Sequence, residues 1–384
     1  MSPAERARPA RWNVAAEVLT EFRSDPGVSR SVVARRLGIG SGVAAEVTAR
    51  LREARLIMEV DGPPSGRGRP SATLRVHPDG PLVLIVELRH EAWRLAVAAL
   101  DGRPAVLSGG AHPPGPDPHA VLAVIGRAVR GAHRDLGSRL RAVSVSVPGV
   151  VGGSVLRQAS GLGWKDVELA GLVEGIAGPL IVGNDATFAG VAEVRRGAAV
   201  GATTVVHLQV EEAPGGALVV DGRPIVGASG AAGEFGHLPF ADRRNRCGCG
   251  AYGCWGTAVG ARALATALGE PEPVDPRALA RRVTSAMGVA VEVQSAALGT
   301  GLAALVNALD PDVVTIGGIA IPLRASAPTA FEEAYLAGLM GFRRDVPPPV
   351  RDSTLGDDGA LIGAAEVALD EVTTPEALAL WAES

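Results

Sequence analysis

The stretch TTVVHLQVEEAPGGALVVDGRP (203–224) reads as two β-strands joined by a turn, and it repeats an earlier pattern. LVLIVEL (82–88) and WRLAVAALDGRP (93–104) open the preceding region in the same way, as a hairpin with a DG turn into a third strand. The two DGRP tetrapeptides, 101–104 and 221–224, lie 120 residues apart. Four shared residues are a weak echo alone. The matching strand order around them implies two α/β lobes built on one plan. Helical spacing over 119–136 (Val121, Leu122, Ile125, Val129) follows the first hairpin. LRAVSVSVPG (140–149) and PLIVGND (179–185) read as buried strands, and TFAGVAEVRRG (187–197) as a helix. Two last helices, 359–370 and 375–383, are expected to pack back on the lobes.

At 384 residues the chain predicts two or three domains, and 47% hydrophobic with 20% charged residues fits globular domains with real cores. The opening MSPAERARPARWN has no apolar signal region, and runs such as PLVLIVEL (81–88) are too short to span a bilayer. A cytoplasmic protein with reduced thiols and no membrane partner is therefore expected. Net charge is −4 but unevenly spread. Residues 1–78 carry 13 Arg against 8 acids, while the remainder carries 24 basic residues against 33 acids. A basic module on an acidic body points to a polyanion partner for the module.

That module reads as three short helices over 10–57. Val14, Val18, Leu19 and Phe22 mark the first, and Pro26-Gly27 breaks it. Ser29 caps a second with Val33 and Leu37 inward. Gly38 ends it, and Ser41 caps a third with the stripe Val43, Val47, Leu51, Ala54. IMEV, a Gly- and Pro-rich tip, and ATLRV then form two strands of a wing. This is the pattern of a winged helix-turn-helix, with double-stranded operator DNA as partner. Ser41, Arg50, and the tip residues Arg67 and Arg69 are the candidate DNA contacts. The start of the third helix, GSGVAAE, offers no Arg, Asn or Gln for bidentate base contacts, so base reading there is weak or carried by the wing.

All three cysteines fall within eight positions, in H-x9-C-x-C-x4-C from His237 through Cys247 and Cys249 to Cys254. Three thiolates and an imidazole suit tetrahedral zinc, and glycines 248, 250 and 253 allow a tight loop. With four protein ligands such a site is closed and structural.

VSVPGVV (145–151), GLGWKDVEL (161–169), VGNDA (182–186), AGEFGH (232–237), CGCGAYGC (247–254) and DPDVVTIGG (310–318) together resemble the ROK family of repressors, open reading frames and kinases. The resemblance spans essentially the whole chain, with the winged helix similar to the repressor branch. It implies an α/β fold: an N-terminal winged helix-turn-helix (1–78) and a two-lobed body, actin-like or ribonuclease H-like, with a structural zinc loop. Lobe 1 is expected at 79–194, completed by the C-terminal helix at about 366–384. Lobe 2 with the zinc loop is expected at 195–365. It further implies a homodimer or homotetramer, and a sugar-like effector held by Asn184, Asp185, Glu234 and His237. In resembling kinases the aspartate is the general base.

Departures from the family pattern shape the rest. The phosphate loop D-x-G-G-T is ELRHE (87–91), and the second turn G-T-G-x-G-G is EEAPGG (211–216), so two pairs of carboxylates stand where phosphates need room. On that ground the chain is expected not to be an enzyme, Asp185 being a relic base. Gly161 stands for a usual Asn and Gly256 for a usual Glu of the sugar site. The leading expectation is a DNA-binding regulator, a repressor, sensing a sugar. Two alternatives stay open: a sugar kinase with an added DNA-binding domain, and a regulator whose cleft no longer binds sugar.

Overall fold

The computed structural model describes residues 11–60, 72–113, 115–273 and 275–383. Helices α1 (Asn13–Ser24), α2 (Arg30–Arg36) and α3 (Ser41–Glu53) come first, then the antiparallel pair β1 (Ile57–Val60) and β2 (Thr73–Val76). Val18, Leu19 and Phe22 of α1 are buried with Trp12, which makes α1 the core of this module. Ser29 caps α2, its hydroxyl accepting the Val32 N–H. Helix α3 departs from expectation. Gly40 is its N-cap, with extended backbone, so Ser41 is already helical and makes no cap bond. The buried face is correspondingly Ala44, Val47, Thr48 and Leu51, and Val43 is 46% exposed. Thr48 joins that face because its hydroxyl donates to Ala44 O at 2.7 Å.

The body contains two five-stranded sheets of one design. The first holds β3 (Leu82–Leu88), β4 (Ala92–Ala98), β5 (Pro104–Ala111), β6 (Leu140–Val147) and β10 (Leu180–Asn184) in the order β10-β6-β3-β4-β5. Helix α4 (Pro118–Leu136) packs on it. Short strands β7 (Val150–Gly152), β8 (Val155–Ala159) and β9 (Trp164–Glu168) make a small sheet that the sequence reading did not anticipate. Helix α5 (Asp185–Arg196) follows β10.

The second sheet holds β11 (Thr204–Val210), β12 (Pro214–Val220), β13 (Arg223–Pro224), β14 (Val313–Gly318) and β15 (Val350–Asp352). Its order, β13-β12-β11-β14-β15, mirrors the first: a central strand, an antiparallel hairpin on one side, parallel partners on the other. The two DGRP segments enter the third strand of each sheet. Gly102 (φ 66°) and Gly222 (φ 72°) supply the left-handed backbone that both turns need.

Helices α6 (Ala261–Leu268), α7 (Pro276–Ala280), α8 (Val289–Leu309), α9 (Ala320–Ser326), α10 (Pro328–Gly338) and α11 (Gly341–Asp345) belong to the second lobe. By length and composition α8 could cross a membrane, contrary to the expectation that no apolar segment is long enough. Its Leu298, Leu302, Leu305 and Val306 are buried in the second lobe's core against Phe331 and Tyr335. Scattered Gly, Ser, Thr and Asn hid its length from a reading of unbroken apolar runs.

Helices α12 (Gly359–Val372) and α13 (Pro375–Trp381) close the chain. Helix α5 packs on β11 and β12, α12 packs on β3 and β6, and the two helices pack on each other between the sheets. Helix α13 packs on α1, and the Trp381 indole donates to Ala54 O at 2.6 Å. One apolar core therefore runs from Leu19 and Phe22 through Ala365 and Leu369 to Val83 and Ile85.

Candidate functional site

Strand β10 delivers two polar residues to the floor of the cleft between the lobes. Asn184 caps α5, with Oδ1 accepting the Thr187 N–H at 3.0 Å. Its amide donates to Gly149 O at 3.1 Å, so both ends of this side chain serve the local fold. Asp185 opens the helix and accepts the Ala186 N–H at 2.8 Å. Burial, together with the like charges of Glu211, Glu234 and Glu87, pushes Asp185 up to about 7 against the pull of that N–H.

Glu234 and His237 face Asp185 from the second lobe. Burial raises the Glu234 carboxyl while His237 counteracts it. His237 Nε2 lies 3.6 Å from Glu234 Oε2, and its Nδ1 lies 3.7 Å from Cys247 Sγ. Cys249 and Cys254 bring their sulfurs to 3.7 Å of each other. The donor atoms of His237, Cys247, Cys249 and Cys254 all lie within 4.8 Å of one another. A tetrahedral ion with metal–sulfur bonds of ~2.3 Å needs sulfur–sulfur edges of roughly 3.8 Å, so the cluster fits a metal. Gly250 (φ 95°) and Gly253 (φ 75°) provide the reversals that fold the loop onto itself.

A cavity of about 440 Å³ is lined by Asn184, Asp185, Glu234 and His237, so the four expected effector residues do come together. Its other charged walls are Arg89, His90 and Glu91 from the β3–β4 loop and Glu211 and Glu212 from the β11–β12 turn, the two phosphate-side segments of the sequence, together with Arg277 of α7, which sequence reasoning missed. His90 of one lobe meets Glu212 of the other, and Arg262 also contacts Glu212. These two side chains fill the space into which a Cβ at Gly161 would point. The missing Asn was thus the signal: the volume it vacates had to be taken by something. Burial lowers the His90 imidazole, with Asp185 pulling the other way.

The carboxylates of the two phosphate-side segments do not stand alone. Glu87 is 2% exposed and accepts from Arg89 Nε at 2.7 Å and from Arg94. Arg277 lies 3.4 Å from Glu211, 3.2 Å from Asp357 and 3.9 Å from Glu91.

The proposed DNA contacts fare differently. Ser41 is exposed at the start of α3. Arg50 is engaged inside its module: it donates to Arg11 O and to Glu46 at 2.9 Å and lies over the Trp12 ring. Arg67 and Arg69 lie outside the described residues. Arg35, exposed on α2, has no ion-pair partner among the described residues and was overlooked.

A two-lobed α/β body with mirrored sheets and a polar cleft at the end of β10 defines the class. The sequence profile of the ROK family matches residues 95–371, and the chain belongs to that family. Glucokinase from Streptomyces coelicolor is 27% identical over 300 residues, covering 72% of this chain and 94% of its own. The crystal structure of a ROK hexokinase from Thermus thermophilus aligns with TM-score 0.59 and 32% identity, over 76% of this chain and 99% of that one. A ROK family transcriptional regulator, a homologue of the Escherichia coli MLC protein, aligns with TM-score 0.74 and 22% identity. That alignment covers 98% of this chain and 100% of the other, so the fold likeness includes the N-terminal helices.

These relatives correct the expectation that the chain is not an enzyme: the glucokinase and the hexokinase match 72% and 76% of its length, which makes this a kinase-related body. The physical flaw in that expectation was a count of carboxylates without their partners. Arg89 and Arg94, two and seven residues after Glu87, and Arg277, remote in sequence from Glu211, pair with the acids that were expected to repel phosphate.

Proposed function

We propose that the chain is a sugar-responsive, DNA-binding transcriptional regulator, a repressor, in which residues 1–78 form a winged helix-turn-helix. The body then divides at about residues 194 and 365 into a first lobe, completed by the C-terminal helix, and a second lobe with the zinc loop. One observation carries this reading. Helix α5 starts at the cleft with Asp185 and ends in Arg195 and Arg196, which share Glu366 and Asp370 with Arg23 of α1. Arg23 is 5% and Glu366 3% exposed. Arg23 donates to Glu366 Oε2 at 2.6 Å and to Asp370 at 2.9 Å; Arg196 Nε donates to Glu366 at 2.7 Å. A ligand that moves the first turn of α5 therefore moves the seat of the N-terminal module. Such a mechanical tie is what a sensor needs and what an appended, independent domain does not.

In this reading Asp185, Glu234 and His237 bind sugar hydroxyls while Asn184 holds the floor. The soft donor set favours zinc for the His237, Cys247, Cys249 and Cys254 cluster. Zinc there supplies structural charge compensation. The chain's own residues orient the ligand: His237 offers Nε2 to the cleft side while Nδ1 faces Cys247. Ser41 and Arg35 are the module's candidate DNA-facing groups, and a homodimer presents two modules to two half-sites.

A second reading, a sugar kinase carrying a DNA-binding domain, is favoured by Asp185. A carboxyl with a pKa of about 7 is poised to take a proton from a sugar hydroxyl at neutral pH. The test has two arms. Full-length protein is titrated with DNA fragments selected from genomic DNA, with and without glucose, and glucose phosphorylation is followed with ATP. A glucose-dependent change in DNA affinity supports the regulator. Turnover abolished by Asp185→Asn, with DNA affinity indifferent to glucose, supports the kinase.

A further inference from the structure

The cleft cavity does not end at Gly161. A second cavity of about 980 Å³ shares Ser160, Gly161, Glu212, Ala213, Pro214 and His237 with the first, and the Glu212 side chain, held by His90 and Arg262, stands at the boundary of the two. The first, at about 440 Å³, is near the low end of the ~300–1,000 Å³ range for small-ligand sites, and the second near its top. A monosaccharide on Asp185, Glu234 and His237 leaves the second volume unused.

The walls of that volume have a particular chemistry. Gln294 of α8 is 3% exposed; its Oε1 accepts the Gly260 N–H at 3.3 Å, and its amide N–H groups have no partner among the described residues. Those donors are open to the cavity that Gln294 lines. Beside Gln294 on α8, Val293 and, one turn before that, Val289 are 60% and 71% exposed and share a face of the helix at i and i+4. Both line the cavity. The charges around them are mostly closed on one another. Arg244 is paired with Asp242, and Arg262 with Glu212 and Glu272. Arg246 also lines the cavity and has no ion-pair partner among the described residues, while the Asn245 amide is turned to the Thr257 hydroxyl at 3.4 Å. The space thus offers hydrogen-bond donors and an apolar strip, with little net field. A pyranose ring presents the complement: hydroxyls at its edge and a C–H face.

We propose that this cavity is a second sugar subsite, and that the ligand of the cleft is a neutral disaccharide or longer glycoside whose first ring sits on Asp185 and whose second lies between Val293 and Gln294. This rests on the sugar reading of the first cavity and specifies its ligand. Glu212 and His237, common to both cavities, flank the glycosidic link.

The test is isothermal titration of the full chain with glucose and with its disaccharides maltose and cellobiose. One disaccharide should bind at least ten-fold tighter than glucose. Val293→Arg, at an exposed helix position that tolerates the change, should remove that advantage and leave glucose affinity within about two-fold. Gln294→Leu should reduce the advantage while leaving glucose unaffected. Equal or weaker disaccharide binding, with glucose still bound, overturns the subsite and leaves the sugar reading standing. A preference that survives both variants likewise overturns it. No binding of any of the three sugars overturns both.

Discussion

At its first turn, helix α5 presents Asp185 to an open cavity; at its last, Arg195 and Arg196 are clamped on Glu366 and Asp370. The contrast is one of satisfaction. Arg23 and Arg195 each have two carboxylate partners, and Arg196 has Glu366; Arg23 and Glu366 are buried, while Asp370 closes the seam at the surface. Asp185 accepts a single backbone N–H and is surrounded by like charges. A helix is stiff over this length, so a ligand that satisfies the loose end works against a fixed end. The fixed end is where the N-terminal module sits. This division of labour suits a switch: the under-satisfied group stands at the site that meets the ligand.

The largest effect is expected from breaking the fixed end. Arg23→Ala leaves Glu366 buried with one guanidinium fewer, and about 3 kcal/mol of stability should be lost, the low end for a broken buried pair because Arg195 and Arg196 remain. Denaturant unfolding of the full chain measures this. A loss below about 1 kcal/mol would mean the seam is replaceable and the tie weak.

The loose end responds to pH instead. The folded-state pKa of Asp185 is raised from an ordinary 3.8 to about 7, so wild-type stability falls as pH climbs through that window. Asp185→Asn removes the titration. The variant should match wild type near pH 4 and be more stable at pH 8, by on the order of 2 kcal/mol once cleft water is allowed for. Thermal melts from pH 4 to 8 give the comparison. A gap that stays constant with pH contradicts the environment assigned to Asp185.

Between these lies the cysteine loop, which places His237 beside the loose end. Purified without chelator, the protein should carry about one zinc per chain, and Cys249→Ser should lose it. Sugar affinity should then drop about ten-fold, since His237 loses the partner that fixes its ring. Metal analysis and titration report the two effects separately. Retention of metal by Cys249→Ser would remove Cys249 from the ligand set.

The smallest effects belong to the module's surface. Arg50→Ala removes an i,i+4 pair with Glu46 worth under about 0.5 kcal/mol, and DNA affinity should stay within two-fold. Arg35→Ala should weaken DNA binding uniformly and lower the salt slope by about 1, as loss of one phosphate contact does. The reverse ranking of these two variants would restore Arg50 as a contact.

The ends of α5 also divide what could be read from sequence. The cysteine cluster was legible from its spacing, whereas Asn184, Asp185, Glu234 and His237 were named through the resemblance to the family, a strand running into Asn184-Asp185 fitting a helix cap equally well. The mirrored sheets were legible through the DGRP turns, whose glycines both adopt positive φ. The fixed end was not. Arg23 meets Glu366 and Asp370 across more than 340 residues, and no local pattern joins them. One hint existed: Arg23 lies four residues after Leu19 on a helix whose buried face includes both. Distance explains only half of the error about the phosphate-side acids: Arg277 reaches Glu211 from a far helix, whereas Arg89 and Arg94, the partners of Glu87, stand close to it in the sequence. The small sheet β7–β9 escaped because strands of three to five residues broken by Gly and Ser give no period to detect. The Ser41 cap failed by one residue, a shift that also turned Val43 outward.

The most direct measurement of the account is the affinity of full-length protein for a selected DNA fragment, with and without a saturating sugar of the cleft. Three proteins are compared: wild type, Asp185→Ala, and Arg23→Lys, which keeps the buried charge but not the two-pronged grip on Glu366 and Asp370. Wild type should show a 5–150-fold change in DNA affinity, roughly the span of allosteric coupling. Asp185→Ala should show none because the loose end is gone. Arg23→Lys should bind the sugar as wild type does and yet transmit little of it to DNA. A full wild-type response in Arg23→Lys, with sugar binding intact, would contradict the claim that the cleft speaks to the module through α5.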